Sequence, residues 1–194
     1  MGVAVTIADM LSYYKFEINF FAGCGGENRK FPRSASGGIM HEFKDMDFMN
    51  SAFNTGAFVT SGDNVMVASW GFVGVMWGKK VFVAPIRDSR YTKEMLDKTG
   101  EFTVSVPAPG TMKKELGFCG SKSGRDYDKW AETGMRKQPA KEVGTVVVAG
   151  CERYIECRVL GVLPMGDMDI SKVDGWYANG DKHNFYFGEI VAEY

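Results

Sequence analysis

The feature that most constrains the fold of this chain is the distribution of its apolar residues between Ala57 and Ala192. They fall in short runs of β-branched and aromatic residues, and Gly, Pro, Asn or Asp closely follows most of the runs. Runs of this length are typical of strands, and the residues that follow favour tight turns. The pattern predicts seven strands, at 57–61, 65–70, 80–86, 101–106, 145–149, 154–163 and 184–192.

Helices are predicted to be few and short. The spacing of apolar residues indicates helices at 92–99, 111–118 and 126–133, with a further short helix or turn at 43–52. Gly100 and Gly134 provide stop signals for two of them. Because strands and helices do not alternate regularly, a doubly wound parallel sheet is disfavoured. We therefore predict a mainly β fold, a closed or nearly closed antiparallel barrel, since closure removes exposed strand edges.

Residues 1–39 differ from the rest of the chain. Residues 23–38 are rich in Gly, Ser, Arg and Lys and show neither a helical nor a strand period. We interpret 1–39 as an N-terminal arm and 40–194 as the folded domain. One hypothesis is that Met40 is the native start and that the arm is translated upstream sequence. The alternative is a genuine additional arm, and the codons before Met40 distinguish the two.

Charge and cysteine content exclude several classes of protein. The 23 Lys and Arg against 24 Asp and Glu give a net charge of −1, which provides no bias toward nucleic acid or membranes. Any anion site must therefore be local. The four cysteines form no C-x-x-C pair and there are two His, so no metal site is expected. Asp9, Lys15 and Glu17 interrupt any signal-like stretch, which favours a cytoplasmic protein.

The strongest local signal for chemistry is the run from Arg87 to Thr92, which follows an apolar strand and opens a helix. Amides at a helix start attract anions. Arg87 and Arg90 add charge-assisted donors, and Ser89 or Thr92 is a candidate cap for the helix. The run predicts a phosphate cradle, and the alternative is a solvated basic turn.

Two other segments are candidates for ligand contact. Ala68, Ser69 and Gly71 are small enough to let a flat ligand approach the backbone, although a plain core strand with a packed Trp70 is the alternative. The loop predicted at 119–125 is rich in Gly, hydroxyls and positive charge and is of a kind that closes over polar ligands. Its alternative is an ordinary solvated loop.

Two single residues complete the candidates. His183 begins the last strand and is a candidate ligand contact, with a structural role as the alternative. Cys157 lies in a predicted strand, where a buried and unreactive thiol is expected.

These segments, taken in order, resemble the flavin reductase-like FMN-binding family, which includes the flavoredoxins. The similarity is carried by Val67-Ala68-Ser69-Trp70-Gly71, by Arg87-x-Ser89-Arg90-Tyr91-Thr92, by the run from Cys119 to Lys129, and by His183-x-x-Tyr186-x-Gly188-Glu189-Ile190. It covers residues 40–194. The resemblance implies an FMN-binding split barrel, a Greek-key-like antiparallel barrel, that forms a homodimer with FMN near the interface.

The resemblance also implies roles for individual residues. Ala68, Ser69 and Trp70 would line the isoalloxazine ring of FMN. The phosphate end would be held by Arg87, Ser89, Arg90, Tyr91 and Thr92. The segment Ser121, Lys122 and Ser123 would close over the cofactor.

The implied activity is that of an FMN-dependent oxidoreductase of the flavin reductase type. Electrons would move from NADH or NADPH through FMN to an acceptor. Because the flavin carries the chemistry, no catalytic residue is assigned. The chain has no G-x-G-x-x-G after a strand, so nicotinamide would bind transiently over the flavin. The alternatives are a flavoredoxin-like electron carrier reduced by a redox protein, and a non-catalytic FMN-binding module.

Overall fold

The computed structural model describes residues 52–194, so the predicted arm and nearly all of the predicted 43–52 element lie outside the described residues. The strands within this part are β1 (Ala57–Ser61), β2 (Asn64–Ala68), β3 (Phe72–Met76), β4 (Lys79–Arg87), β5 (Glu101–Val106), β6 (Lys137–Pro139), β7 (Val146–Val148), β8 (Arg153–Pro164) and β9 (His183–Glu193). The helices are α1 (Tyr91–Thr99), α2 (Lys113–Ser121) and α3 (Lys129–Thr133), with 3-10 turns η1 (Met165–Asp167) and η2 (Asp174–Tyr177). No helix within residues 52–194 is long and apolar enough to cross a lipid bilayer.

Seven of the strands form one antiparallel sheet in the order β2-β1-β5-β8-β9-β4-β3, and β6 pairs with β7 in a separate ladder. β2 also lies against β4, so the sheet curls around its core. Phe82, Phe102, Val104 and Tyr186 are almost fully buried inside it. The predicted mainly β, antiparallel fold with a few short helices is therefore confirmed.

Two strands, β3 and β6, were not predicted. β3 is an apolar run interrupted by Gly74, and three of its five residues are exposed, so no alternation marks a buried face. It is formed because Trp77 and Gly78, with φ of 53° and 69°, make a two-residue turn that pairs β3 with β4. β6 has only 3 residues. The second strand was predicted to end at residue 70, whereas β2 ends at Ala68.

The predicted bounds of α2 were wrong, whereas those of α1 were nearly right. α1 ends at Gly100, whose φ of 66° is left-handed as a stop signal requires. α2 begins later than predicted and continues to Ser121, so residues 119–121 are helical and do not belong to the predicted loop. The helix continues because Leu116 and Cys119, three residues apart, are both buried.

Candidate functional site

The corner between β4 and α1 contains the predicted phosphate cradle, and its helix start has no side-chain cap. The N-cap residue is Arg90, which makes no capping hydrogen bond with its side chain. The expectation that Ser89 or Thr92 caps α1 is wrong. Ser89 Oγ donates to Asp181 Oδ2 at 2.7 Å, and Thr92 Oγ1 accepts from Asn64 Nδ2 at 2.7 Å. The first-turn amide of Lys93 donates to the backbone oxygen of Arg90 at 3.0 Å, which leaves the amides of Tyr91 and Thr92 for an anion.

The two arginines of this corner are held differently. Arg87 donates to the backbone oxygen of Asp181 at 2.6 Å, and its guanidinium lies 5.2 Å from the ring centre of Tyr177. The guanidinium of Arg90 donates to the backbone oxygen of Gly120 at 3.3 Å, which is its single hydrogen bond to the described residues. A guanidinium has five N–H donors, so most of those on Arg90 are available to a ligand.

The first of two adjoining clefts, here the Trp70 cleft, has a volume of about 250 Å³. It is lined by Met66, Val67, Ala68, Ser69, Trp70, Pro85, Arg87, Arg90 and His183. Trp70 is 42% exposed, so the alternative of a packed core tryptophan does not hold. Its indole lies 5.0 Å from the imidazole of His183 and 5.7 Å from the indole of Trp176, measured between ring centres.

The second cleft, here the Lys122 cleft, has a volume of about 220 Å³. It is lined by Asn64, Met66, Ser89, Arg90, Tyr91, Thr92, Ser121, Lys122, Ser123, Gly124, Arg125 and Lys129. The two clefts share Met66 and Arg90, so they adjoin. Each of the predicted site residues lines one cleft or both, which brings three distant segments of the sequence together.

The segment that follows α2 is held against α1 by contacts of its side chains. Arg125 pairs with Glu94 and donates to the backbone oxygen of Ser89 at 3.0 Å. Gly124 permits this close approach, because a Cβ there would lie 1.9 Å from Asn64 Oδ1 and 3.1 Å from the ring of Tyr91. The wall of the Lys122 cleft is thus already formed in the structure.

The electrostatics of both clefts favour anions. Arg87, Arg90, Lys122, Arg125 and Lys129 line them, whereas no Asp or Glu of the described chain does. Arg87 and Arg125 are paired with Asp181 and Glu94, whereas Arg90, Lys122 and Lys129 form no ion pair with the described residues and are the cations that favour an anion.

His183 is neutral at physiological pH. Burial, and secondarily the charge of Arg87, lower its pKa to about 4. Its Nδ1 shares a hydrogen bond of 2.8 Å with the hydroxyl of Tyr177. The imidazole therefore offers the Trp70 cleft a hydrogen-bonding group that carries no charge.

Several residues of the site were missed or left undecided by sequence reasoning. Asn64 and Lys129 line the Lys122 cleft but were not proposed as contacts. His183 does line the Trp70 cleft. Asp181 binds both Ser89 and Arg87. The residues around Asp181 in the sequence match no recognisable motif, so it could not be identified from the sequence. The sequence did contain a signal for Lys129, because it ends the run from Cys119 to Lys129 that resembles the FMN-binding family. As expected, Cys157 is fully buried, which raises its pKa well above 9.0.

Comparison with known proteins identifies relatives over the part of the chain that forms the site. Residues 49–193 match the family model of the flavin reductase like domain. An uncharacterised protein of Archaeoglobus fulgidus is 30% identical over 128 residues, which are 66% of this chain and 63% of that protein. This chain therefore spans less than two thirds of that relative's length.

Solved structures with the same fold include three flavin-associated proteins. Flavoredoxin of Desulfovibrio vulgaris (Miyazaki F) has a TM-score of 0.58 and 21% identity, covering 72% of this chain and 68% of its own. An FMN-binding protein from Thermus thermophilus has a TM-score of 0.57 and 21% identity over 88% and 81% of the two chains. The NADH:FAD oxidoreductase of Streptomyces globisporus C-1027 has a TM-score of 0.56 and 16% identity, covering 72% of this chain and 74% of its own.

Proposed function

Because this chain belongs to the family of the flavin reductase like domain, we propose that it is an oxidoreductase that holds FMN across the Trp70 and Lys122 clefts. In this proposal it moves electrons from NADH or NADPH through FMN to an acceptor. The observation that carries the proposal is the pair of adjoining clefts, which are lined by five cations and no described carboxylate. The flavoredoxin, FMN-binding and NADH:FAD oxidoreductase relatives support the choice of a flavin.

The Lys122 cleft suits the phosphate of FMN. Arg90 has free N–H donors, and α1 starts without a side-chain cap. Charge-assisted hydrogen bonds from such groups are the strong ones in phosphate recognition. Ser121, Lys122 and Ser123 lie at the same cleft, in a segment that its neighbours already hold in place.

The Trp70 cleft suits the isoalloxazine ring. Ala68 and Ser69 leave the edge of β2 accessible to a flat ligand, and Trp70 offers an exposed aromatic wall. When bound, FMN would supply the hydride chemistry. The neutral His183 can form a hydrogen bond to a ligand in this cleft without adding charge beside it. None of the described residues is assigned a catalytic role.

Reduction of the bound flavin by nicotinamide tests the activity. Anaerobic addition of NADH or NADPH to the FMN-loaded protein is expected to bleach the flavin absorbance. The rate of bleaching should be comparable with the kcat of an ordinary enzyme. Dithionite serves as the control, because it reduces the flavin whatever the donor specificity of the protein. Bleaching by dithionite but by neither nucleotide would refute the NAD(P)H-linked activity.

A second candidate function follows from the flavoredoxin relatives of Desulfovibrio vulgaris and Methanosarcina acetivorans. In this version FMN stays bound and receives its electrons from a redox protein. Slow reduction by NAD(P)H together with fast reduction by a reduced ferredoxin-type protein would favour this carrier role. We also propose a cytoplasmic location, in keeping with Cys119, Cys151 and Cys157, which are all free thiols.

We propose further that the protein is a homodimer formed at the β3–β4 hairpin, the exposed apolar edge of the sheet. The exposed apolar side chains of this surface are those of Phe72, Val75, Met76 and Trp77. β3 is an edge strand of the sheet. Exposed apolar surface next to an unpaired strand edge favours association. Packing against a second copy would remove the apolar side chains and the unpaired backbone groups of β3 from water.

Replacing Phe72 by Asp is expected to shift the protein from dimer to monomer. Phe72 is 54% exposed at the start of β3, and a carboxylate buried in an apolar interface is strongly unfavourable. Sedimentation velocity measures the mass directly. Val173→Asp, which changes an exposed apolar residue outside this surface, is expected to remain dimeric. A monomeric wild-type protein at micromolar concentration would contradict the proposal.

A further inference from the structure

Lys129 is a buried cation at the start of α3. The residue is only 4% exposed. Its Nζ donates to the backbone oxygens of Val65, at 2.7 Å, and Cys119, at 3.0 Å. The ammonium therefore connects β2 with the end of α2, and Lys129 lines the Lys122 cleft.

No carboxylate in the described part of the chain forms an ion pair with Lys129. The neighbouring Asp128 uses its carboxylate to cap α3, where Oδ1 accepts from the amides of Trp130 and Ala131. The thiol of Cys119 is no counter-ion either, because burial raises its pKa to about 11 and leaves it protonated. A buried charge without a counter-ion is costly, and none of residues 52–194 supplies one, which favours an anionic ligand beside Lys129.

The surroundings of Lys129 indicate where that counter-ion would lie. An ammonium has three N–H donors, and two are used by backbone oxygens. The third has no acceptor among residues 52–194. Lys129 lines the Lys122 cleft and also a neighbouring pocket that contains Asp63, Asp126 and Asp128, none of which forms an ion pair with it. Burial lowers the pKa of Lys129, and the charge of Arg90 lowers it further. An anion in this cleft would relieve both effects.

We propose that Lys129 determines the specificity of the site for a phosphorylated flavin, because the phosphate of FMN is the counter-ion of its buried ammonium. This inference rests on the proposed function. Riboflavin has the same ring and ribityl chain as FMN but no phosphate, so it would leave the ammonium unpaired. Lys122 and Arg125 are less suited to this role, because both are considerably more exposed or already paired.

The test compares FMN with riboflavin on the wild-type protein and on Lys129→Met, which keeps the length of the side chain but removes its charge. Loss of a charge-assisted hydrogen bond is expected to raise the Kd for FMN by about 10- to 100-fold. The Kd for riboflavin should stay nearly constant. Lys137→Met is the matched control. Lys137 belongs to β6, and its ammonium lies over the ring of Trp130 of α3, but it lines neither cleft. The affinities for FMN and for riboflavin should both stay those of the wild type.

Three results would overturn the inference. An equal loss of FMN and riboflavin affinity in Lys129→Met would show that Lys129 acts only on the fold. Unchanged affinities would place the phosphate elsewhere. Wild-type protein that binds neither flavin would refute the proposed function itself, and the inference with it.

A measurement on the wild-type protein keeps the inference testable if Lys129→Met does not fold. Beside a buried ammonium, the phosphate of bound FMN is expected to stay dianionic well below pH 6, where a free phosphate monoester takes up a proton with a pKa of about 6. Phosphorus-31 NMR of the FMN-loaded protein reports this titration. A bound phosphate that titrates as free FMN does would contradict the inference.

Discussion

Replacing Glu156 by Ala is expected to lower the free energy of unfolding by about 3 kcal/mol or more. Glu156 lies in β8 and is fully buried. Its carboxylate accepts hydrogen bonds from the amides of Lys141 and Glu142, both at 2.7 Å, and of Val143 at 3.3 Å. The hydroxyl of Tyr194 donates a fourth, at 2.7 Å. The substitution leaves these donors without their acceptor, and urea unfolding measures the loss.

The same carboxylate should contribute to the pH dependence of stability. Burial alone would raise the pKa of Glu156, but the hydrogen bonds from Lys141 and Tyr194 outweigh it, so the pKa lies below its ordinary value of 4.5. The unfolded chain therefore takes up this proton before the folded one does. The contribution of Glu156 is complete above about pH 4.5 and is lost as the pH falls through the folded value.

Glu156→Gln is the matched control for charge, because the amide has nearly the same shape as the carboxylate. It should be destabilised, since its NH₂ group faces backbone donors, and it should lack this part of the acid-induced loss of stability. An unfolding free energy for Glu156→Ala that equals the wild-type value would show that residues 141–143 do not depend on the carboxylate.

Replacing Arg90 by Ala is expected to weaken FMN binding about tenfold or more, because one charge-assisted phosphate contact contributes about 1.5–3 kcal/mol. Arg90 lines both clefts, and its side chain has one hydrogen bond to the described chain, to Gly120 at 3.3 Å. Its removal should therefore cost little stability but much affinity. Titration followed by flavin fluorescence measures the Kd.

Arg158→Ala is the control for removal of an arginine elsewhere on the molecule. Arg158 is exposed, forms an ion pair with Glu101 at 3.3 Å and lines neither cleft. We expect FMN affinity to remain that of the wild type. Unchanged affinity in Arg90→Ala as well would mean that the phosphate does not bind at the corner between β4 and α1.

Much of the sheet could be predicted because its strands carry their own local signals. β1 is an apolar run followed by Gly62, β5 alternates between apolar and polar residues and is followed by Pro107, and the bounds of both were predicted as found. β3 was missed because Gly74 interrupts its apolar run and no alternation marks a buried face. It pairs with β4 through the turn at Trp77 and Gly78. This turn lacks the Asn-Gly or Asp-Gly pair that is the strongest sequence signal of a hairpin.

The site was predictable in its segments but not in its contacts. Local composition indicated the segments at 68–71, 87–92 and 119–125 as candidates, and the family resemblance assigned site roles to the residues from Ala68 to Trp70, from Arg87 to Thr92 and from Ser121 to Ser123. Their meeting at one pair of clefts depends on the curl of the sheet, which brings β2 to β4. Ser89 was predicted as a cap but binds Asp181, which lies 92 residues away in the sequence.

Lys129 shows the remaining limit of sequence reasoning. A lysine in the first turn of a short helix is typical of a solvated surface. Here it is buried, because β2 and the end of α2 both present backbone oxygens to its ammonium. Only the packing of three elements distinguishes this lysine from an ordinary one.

The proposal that the two clefts hold FMN is tested by titrating the flavin-free protein with FMN and following bound flavin by fluorescence and absorbance. We expect saturable binding of one FMN per chain, with a shift in the flavin spectrum as the ring leaves water for the Trp70 cleft. A flavin spectrum that stays that of free FMN, with no saturation at any concentration of protein, would contradict it.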